Sequence, residues 1–154
     1  MNVEDFLSPA DIVVERRTLD KLQLLKELSA RAAANYQLDS RAVTEAILKR
    51  EALGSTGVGG GIAIPHARFG ELRKSSGVLV RLKKPIDFDA VDGKPVDIVF
   101  LLLAPENDQL NALACVARSL RNPDVVAALR RAKDGAAAYR AIAGSSITAG
   151  PTLA

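Results

Sequence analysis

The chain contains one histidine, His66, which lies near the end of a glycine-rich stretch running from Gly54 to Arg68. The unperturbed pKa of imidazole, about 6.5, leaves much of the ring neutral near pH 7, so a ring nitrogen can act as a nucleophile without a partner base. Glycines allow backbone N–H groups to turn toward an anion. These residue types in this order predict phosphoryl chemistry at His66.

Two arginines flank this stretch and could neutralise a phosphate. Arg50 lies in the last turn of a predicted helix, and Arg68 follows His66 by two residues. A guanidinium group can bind phosphate oxygens bidentately. We predict that Arg50 and the N–H groups of the loop stabilise a phosphoryl group, whereas Arg68 either contacts it or faces a partner. The glycines predicted to bind phosphate are Gly57, Gly59, Gly60 and Gly61. The structural alternative is that Arg50 only favours the helix C-terminus and that the glycines only shape a turn.

Other phosphate and metal motifs do not fit the sequence. A P-loop requires a lysine followed by serine or threonine, but this chain has Gly60-Gly61-Ile62 at that point. One histidine and one cysteine cannot supply the three or four ligands of a zinc site, so we expect no metal and no cofactor. Cys115 lies in an apolar segment and is predicted to be a buried thiol.

Composition and charge set the class of protein. The 154 residues are 48% hydrophobic and 25% charged, which is typical of a globular protein with one core. The net charge is +3, but the basic residues are scattered among acids and only 4% of residues are aromatic, so nucleic-acid binding is not predicted. The longest apolar run, 98–104, is too short to span a bilayer, and no signal-peptide pattern is present. The expected location is the cytoplasm.

Hydrophobic periodicity predicts a single α/β domain with helices on both faces of a small, largely buried sheet. We predict that residues 1–143 form the domain and that residues 144–154 form a flexible tail. Strands are predicted at 11–15, 62–64, 77–82 and 96–103, with His66 at the end of the second. Helices are predicted from Leu19 to Ala34, from Asp39 or Ser40 to Leu53, from Gln109 to Leu120, from Pro123 to Ala132, and from Gly135. The buried face of the third helix is predicted to carry Leu110, Leu113, Val116, Ala117 and Leu120.

Several segments together resemble a known family. They are Arg50-Glu51, Gly54-Ser55-Thr56-Gly57, residues 61–66, residues 92–96 and residues 110–120. From Phe6 to Ala143, the chain resembles the enzyme IIA family of the bacterial phosphotransferase system, in its fructose, mannitol and nitrogen-regulatory branch. The resemblance implies a small mixed sheet flanked by helices. It also implies that His66 takes a phosphoryl group from an HPr-like phosphocarrier, with Arg50 beside it.

One departure from the family pattern affects the expected function. Many members carry a second active-site histidine where this chain has Gln109, which can donate a hydrogen bond but cannot supply a charge or shuttle a proton. This difference, and the absence of a fused sugar-specific domain, favours a nitrogen-branch phosphoryl carrier that regulates targets such as kinases or transporters. Such a carrier is a phosphotransferase component rather than a free-standing metabolic enzyme. Two alternatives remain: a fructose- or mannitol-type enzyme IIA that feeds a permease, and a regulatory module that binds its partners independently of phosphate.

Overall fold

The computed structural model describes residues 1–18 and 20–149. Two short 3-10 helices, Val3–Asp5 and Pro9–Asp11, precede the longer elements. The α-helices of the described residues are α1 (Lys21–Tyr36), α2 (Ser40–Ala52), α3 (Gln109–Leu120), α4 (Pro123–Arg131) and α5 (Gly135–Ala149). The strands are β1 (Ile12–Arg16), β2 (Gly57–Gly59), β3 (Ile62–Ala63), β4 (His66–Arg68), β5 (Ser76–Ile86) and β6 (Val96–Ala104).

The strands form one mixed sheet in the order β1-β5-β6-β3-β2, and β4 also pairs with β6. The long strands β5 and β6 are antiparallel. By contrast, β1 runs parallel to β5, and both β3 and β4 run parallel to β6. The predicted α/β fold with a small mixed sheet is confirmed.

The two long strands are buried because helices cover both faces of the sheet, and side chains alternate between the faces with a period of two. One face packs against α1 and α2 through Val78, Val80, Leu82, Val99, Leu101 and Leu103. The other packs against α3, α4 and α5 through Leu79, Ile98, Phe100 and Leu102. Burial of each such side chain stabilises the fold by about 1.5–3 kcal/mol. The prediction that β6 is buried on both faces is confirmed.

Strands β3 and β4 lie end to end along the same edge of β6, with β3 at its start and β4 at its end. Ile64 and Pro65 separate them: Pro65 has no N–H to donate to the ladder, and the N–H of Ile64 donates instead to the carbonyl oxygen of Thr56 at 2.9 Å. His66 therefore begins a second strand. The prediction that His66 lies at the end of the short strand 62–64 is wrong.

Helices α1 and α2 start close to their predicted positions because aspartates cap them. The carboxylate of Asp39, one of the two predicted starts of α2, accepts the N–H of Ala42 at 2.9 Å. Asp20 caps α1 in the same way, so α1 begins at Lys21, and Leu19, the predicted start, lies outside the described residues.

One prediction about α3 differs from the structure. Leu110, predicted on the buried face of α3, is 82% exposed. Ala112 and Cys115 occupy buried positions on that helix instead, and the predicted burial of the Cys115 thiol is confirmed. The predicted tail begins at residue 144, but α5 continues to Ala149, and residues 150–154 lie outside the described part.

Candidate functional site

Four of the predicted site residues meet in one open cavity at the end of the sheet where β4 and β6 finish. Arg50 comes from the last turn of α2, His66 and Arg68 from β4, and Gln109 from the start of α3. The cavity has a volume of about 870 Å³, much larger than a phosphoryl group. The remaining residues that line it are Ala46, Lys49, Leu53, Ala67, Glu106, Leu110 and Leu113.

The His66 ring is half-buried and held in one tautomer. Its Nδ1 lies 2.8 Å from the carbonyl oxygen of Ile64. A carbonyl oxygen only accepts, so Nδ1 carries the hydrogen and Nε2 is left with the lone pair of a neutral ring. Strand geometry also places His66 and Arg68 on the same face of β4, while Ala67 between them is buried on the other.

The electrostatic surroundings keep His66 neutral. Burial lowers the pKa of its imidazole below the usual 6.5, and the positive charge of Arg50 lowers it further. The hydrogen bond to Ile64 and the negative charge of Glu51 act in the opposite direction but do not reverse the shift. A neutral imidazole is the nucleophilic form, so the ring is available for attack at pH 7.

Arg50 is half-buried beside the histidine. Its Nη1 donates to the carbonyl oxygen of Gly54 at 3.0 Å, just beyond the end of α2. This bond stabilises the helix C-terminus, as the structural alternative predicts. It uses only one of the five guanidinium N–H groups, which leaves donors for an anion in the cavity.

Arg68 lies on the exposed side of the cavity and bridges Glu106, in the β6–α3 connection, and Gln109, at the start of α3. Its Nε donates to Oε1 of Gln109 at 2.9 Å, and its Nη1 to Oε1 of Glu106 at 3.2 Å. Since Arg68 can only donate, the Gln109 oxygen faces it and the Gln109 amide N–H groups remain as donors. Exposed ion pairs of this kind contribute about 0–1 kcal/mol, so a phosphate dianion can displace the Glu106 carboxylate.

The structure separates the predicted glycines from the histidine. None of Gly57, Gly59, Gly60 and Gly61 lines the His66 cavity, and Gly59 and Gly60 border a different cavity beside α4. Two of their N–H groups are already bonded: that of Gly60 donates to Asp92 at 3.0 Å, and that of Gly57 to the Ser55 hydroxyl at 3.0 Å.

The conformations of these glycines explain their presence. Gly59, Gly60 and Gly61 have φ values of 99°, 68° and 82°, which suit glycine and form the β2–β3 turn. A Cβ on Gly61 would also lie 2.5 Å from Nη2 of Arg130. The structure therefore does not bring Gly57, Gly59, Gly60 and Gly61 to the His66 cavity.

Sequence reasoning missed the apolar rim of the cavity. Leu53, just after α2, is 84% exposed, and Leu110, in the first turn of α3, is 82% exposed. Large apolar side chains that border an open cavity with charged residues are typical of a protein-binding surface. The Leu110-x-x-Leu113 spacing cannot distinguish a residue at the edge of the cavity from one in the core, because it places both leucines on one apolar face of the helix.

Two further properties of residues 1–18 and 20–149 describe the molecule. No three histidine, cysteine, aspartate or glutamate side chains in this part lie together in a way that could hold a metal ion. None of its helices has both the length and the apolar character required to cross a membrane.

This fold, with a histidine and an arginine facing one cavity at the end of the sheet, places the protein in a known class. The family model described as "Phosphoenolpyruvate-dependent sugar phosphotransferase system, EIIA 2" matches residues 5–145, and the chain belongs to this family.

Within the family, similarity to nitrogen regulatory proteins extends over nearly the whole chain. A nitrogen regulatory protein of Bradyrhizobium diazoefficiens is 46% identical over 146 residues, covering 93% of this chain and 95% of that protein. The crystal structure of nitrogen regulatory protein IIA-Ntr from Neisseria meningitidis has a TM-score of 0.84 at 30% identity, covering 91% of this chain and 98% of that one. The IIA mannitol structure from Escherichia coli, at 19% identity and a TM-score of 0.77 over 89% of this chain and 99% of that one, shares the fold.

Proposed function

We propose that this chain is a phosphoryl carrier of the nitrogen-regulatory branch, which accepts a phosphoryl group on Nε2 of His66 from an HPr-like phosphocarrier. The observation that carries the proposal is the 2.8 Å contact between Nδ1 of His66 and the carbonyl oxygen of Ile64. It fixes the tautomer whose free lone pair is on Nε2, in a ring that is neutral at pH 7.

The transfer is an in-line displacement at phosphorus. The Nε2 lone pair forms the new P–N bond, while the P–N bond to the histidine of the donor breaks and its electrons return to the donor imidazole. Positive charge develops on the His66 ring, and the Ile64 carbonyl oxygen stabilises it through Nδ1–H. No metal is required, because both the attacking and the leaving group are imidazoles.

Two arginines have separate roles in this step. Arg50 faces the cavity with donors that its bond to Gly54 does not use, and it stabilises charge on the transferring oxygens. Arg68, two residues from His66 on the same strand face, exchanges Glu106 for the phosphoryl group. The free amide N–H groups of Gln109 supply one further hydrogen bond, in place of the second histidine of many relatives.

The charges of the cavity support regulation of binding by phosphorylation. Its charged lining consists of Lys49, Arg50, Arg68 and the single carboxylate of Glu106. A phosphoryl group brings about two negative charges, enough to cancel the positive excess. The unphosphorylated and phosphorylated forms therefore present different potentials between the exposed Leu53 and Leu110 side chains, and a target protein that docks there distinguishes them.

The branch is supported by the relatives that cover nearly the full chain, which are named nitrogen regulatory proteins. Regulated targets such as kinases or transporters, and a cytoplasmic location where an HPr-like donor works, belong to the same proposal. A sugar-type enzyme IIA differs in passing its phosphoryl group to a sugar-specific acceptor domain.

The test is intact mass after incubation with a phosphorylated HPr-type carrier, under alkaline quench because phosphohistidine is acid-labile. Wild type is expected to gain one acid-labile phosphoryl group, and His66→Ala none. Absence of any gain with an active cognate donor contradicts the proposal and favours the phosphate-independent binding module. A pull-down with phosphorylated and unphosphorylated protein then tests regulation: partners that bind both forms equally contradict the charge switch.

A further inference from the structure

The last turn of α2 buries a carboxylate next to the cavity. Glu51 is 8% exposed, and both of its carboxylate oxygens have polar partners. Its Oε1 accepts the hydroxyl of Thr56 at 2.6 Å, and its Oε2 accepts the N–H of Thr56 at 2.8 Å. A carboxylate with this many partners is fixed in position, because each lost bond would leave a buried charge unsatisfied.

Lys21, from the first turn of α1, supplies the opposite charge. Its Nζ lies 2.9 Å from Oε2 of Glu51. The same ammonium group donates to the carbonyl oxygen of Phe88 at 3.2 Å and lies 4.7 Å from the centre of the Phe88 ring. Lys21 therefore ties together α1, α2 and the segment that follows β5, with Glu51 at the junction.

A continuous series of hydrogen bonds leads from this junction to the histidine. Thr56, held at both its N–H and its hydroxyl by Glu51, accepts the N–H of Ile64 on its carbonyl oxygen at 2.9 Å. The carbonyl oxygen of Ile64 in turn lies 2.8 Å from Nδ1 of His66. The position of the Ile64 carbonyl, which selects the tautomer, thus depends on where Glu51 holds Thr56.

We infer that Glu51, braced by Lys21, is a positioning residue for His66: it anchors Thr56, and through Ile64 it fixes the Nδ1–H tautomer that leaves Nε2 as the nucleophile. The expected effect of Glu51 on phosphoryl transfer rests on the proposed function, but its expected effect on the His66 tautomer does not. The negative charge of Glu51 also opposes the influence of Arg50 on the imidazole, so the two adjacent residues act on the ring in opposite directions.

The first measurement is the tautomer of His66 by ¹⁵N NMR, which is direct because the chain has one histidine. Glu51→Gln and Lys21→Met are expected to populate the Nε2–H tautomer, which wild type lacks. Thr56→Val removes the hydroxyl that Glu51 binds and is expected to do the same, whereas Thr56→Ser keeps the hydroxyl and restores the wild-type signal. Glu27→Gln, which breaks the exposed pair with Arg16, is the matched control and leaves the signal unchanged.

The second measurement is phosphoryl transfer from a phosphorylated HPr-type carrier. Misplacement of a nucleophile by a fraction of an ångström lowers kcat, so Glu51→Gln and Thr56→Val are expected to slow it by about tenfold with KM for the donor unchanged. A purely structural role would lower stability and leave both the tautomer and kcat of the folded protein as in wild type, and that result overturns the inference.

The variants also separate the two proposals. If Glu51→Gln does not fold, the positioning role is tested by comparing the His66 tautomer of Thr56→Val with that of Thr56→Ser. If wild type accepts no phosphoryl group, the proposed function fails, while the NMR result still upholds or overturns the positioning role.

Discussion

The two halves of the β3–β4 edge differ in how their polar groups are used. At the start of β6, the β2–β3 hairpin is bonded to its surroundings: Arg130 donates to both oxygens of Asp97 at 2.8 and 2.9 Å and to the carbonyl oxygen of Gly60 at 3.0 Å. At the end of β6, His66 uses one ring nitrogen and keeps the other, and Arg50 uses one donor of five.

This difference separates a structural glycine loop from a binding site. Glycines with positive φ suit both a phosphate cradle and a tight turn, so their presence alone does not distinguish the two. What distinguishes them is whether the polar groups already have partners within the protein. The backbone of Gly60 in the hairpin is bonded to Asp92 and Arg130, whereas the His66 end keeps a lone pair and several donors that face one cavity.

Loss of Arg50 is expected to give the largest effect at the His66 end. Arg50→Ala should slow phosphoryl transfer by about 10²-fold, because a charge that stabilises the transferring oxygens is removed. The transfer rate of Arg50→Lys should lie between those of wild type and Arg50→Ala, since an ammonium group carries the charge but cannot make the bidentate contact. The measurement is the single-turnover rate from the phosphorylated carrier, with Arg31→Ala on the exposed side of α1 as the control.

The same variant tests the alternative role of Arg50. If the guanidinium only stabilises the end of α2 through Gly54, Arg50→Ala will lower stability by about 1 kcal/mol and leave the rate unchanged. That outcome would show that Arg50 does not act in phosphoryl transfer and has a structural role, like the residues of the β2–β3 hairpin.

A substitution in the hairpin is expected to lower stability without changing transfer. Gly61→Ala should destabilise the protein by about 1–3 kcal/mol, because φ is +82° and the new Cβ would meet the Arg130 guanidinium at 2.5 Å. Gly60→Ala, at φ +68° with no atom within 4 Å of its Cβ, should cost only the backbone term, about 1–2 kcal/mol. Urea unfolding measures both.

The comparison would be broken by a different result for these glycines. If folded Gly61→Ala lost phosphoryl acceptance at an unchanged unfolding free energy, the hairpin would be part of the phosphate site after all. Wild-type transfer rates in both glycine variants, together with the stability loss, would sharpen the separation of the two regions.

The sequence predicted those features that depend on local pattern. The bounds of α3 follow from helical spacing between Gln109 and Leu120, and β6 follows from an apolar run long enough for a strand covered on both faces. His66 and Arg50 were found from their chemistry and neighbours, and the structure places both at one cavity.

Features that depend on distant pairing could not be predicted in this way. The bond between Arg68 and Glu106 and the brace of Lys21 on Glu51 join residues 38 and 30 positions apart, and no local spacing indicates either. The exposure of Leu110 was missed because an apolar residue at a binding rim has the same helical phase as one in the core. The start of a new strand at His66 was not predicted, because it depends on the pairing of His66 with β6, which is likewise non-local.

Gln109 is expected to have a smaller effect than Arg50. Gln109→Ala removes the acceptor of Arg68 Nε and one amide donor, and a neutral hydrogen bond contributes about 0.5–1.5 kcal/mol, so transfer should slow by about 2- to 10-fold. Leu110→Ala, next in the chain and on the apolar rim, should instead raise KM for the donor protein with kcat unchanged. If Gln109→Ala accepts the phosphoryl group at the wild-type rate, Gln109 does not contribute to phosphoryl transfer in this chain.

The smallest expected effect is a shift in the pH profile, which follows from the local charges around His66. Burial and Arg50 hold the pKa of the imidazole below 6.5, so the nucleophilic neutral form is retained as pH falls through 6.5 and is lost only at the lower folded pKa. In that interval the unfolded chain binds more protons than the folded one, so stability rises with pH across it.

Arg50→Gln should move the His66 pKa upward, toward 6.5, in an NMR titration, while Gly60→Ala should not move it, because the hairpin contributes no charge to the ring. A His66 pKa at or above 6.5 in wild type would contradict the assignment of burial as the dominant influence at this end of the sheet.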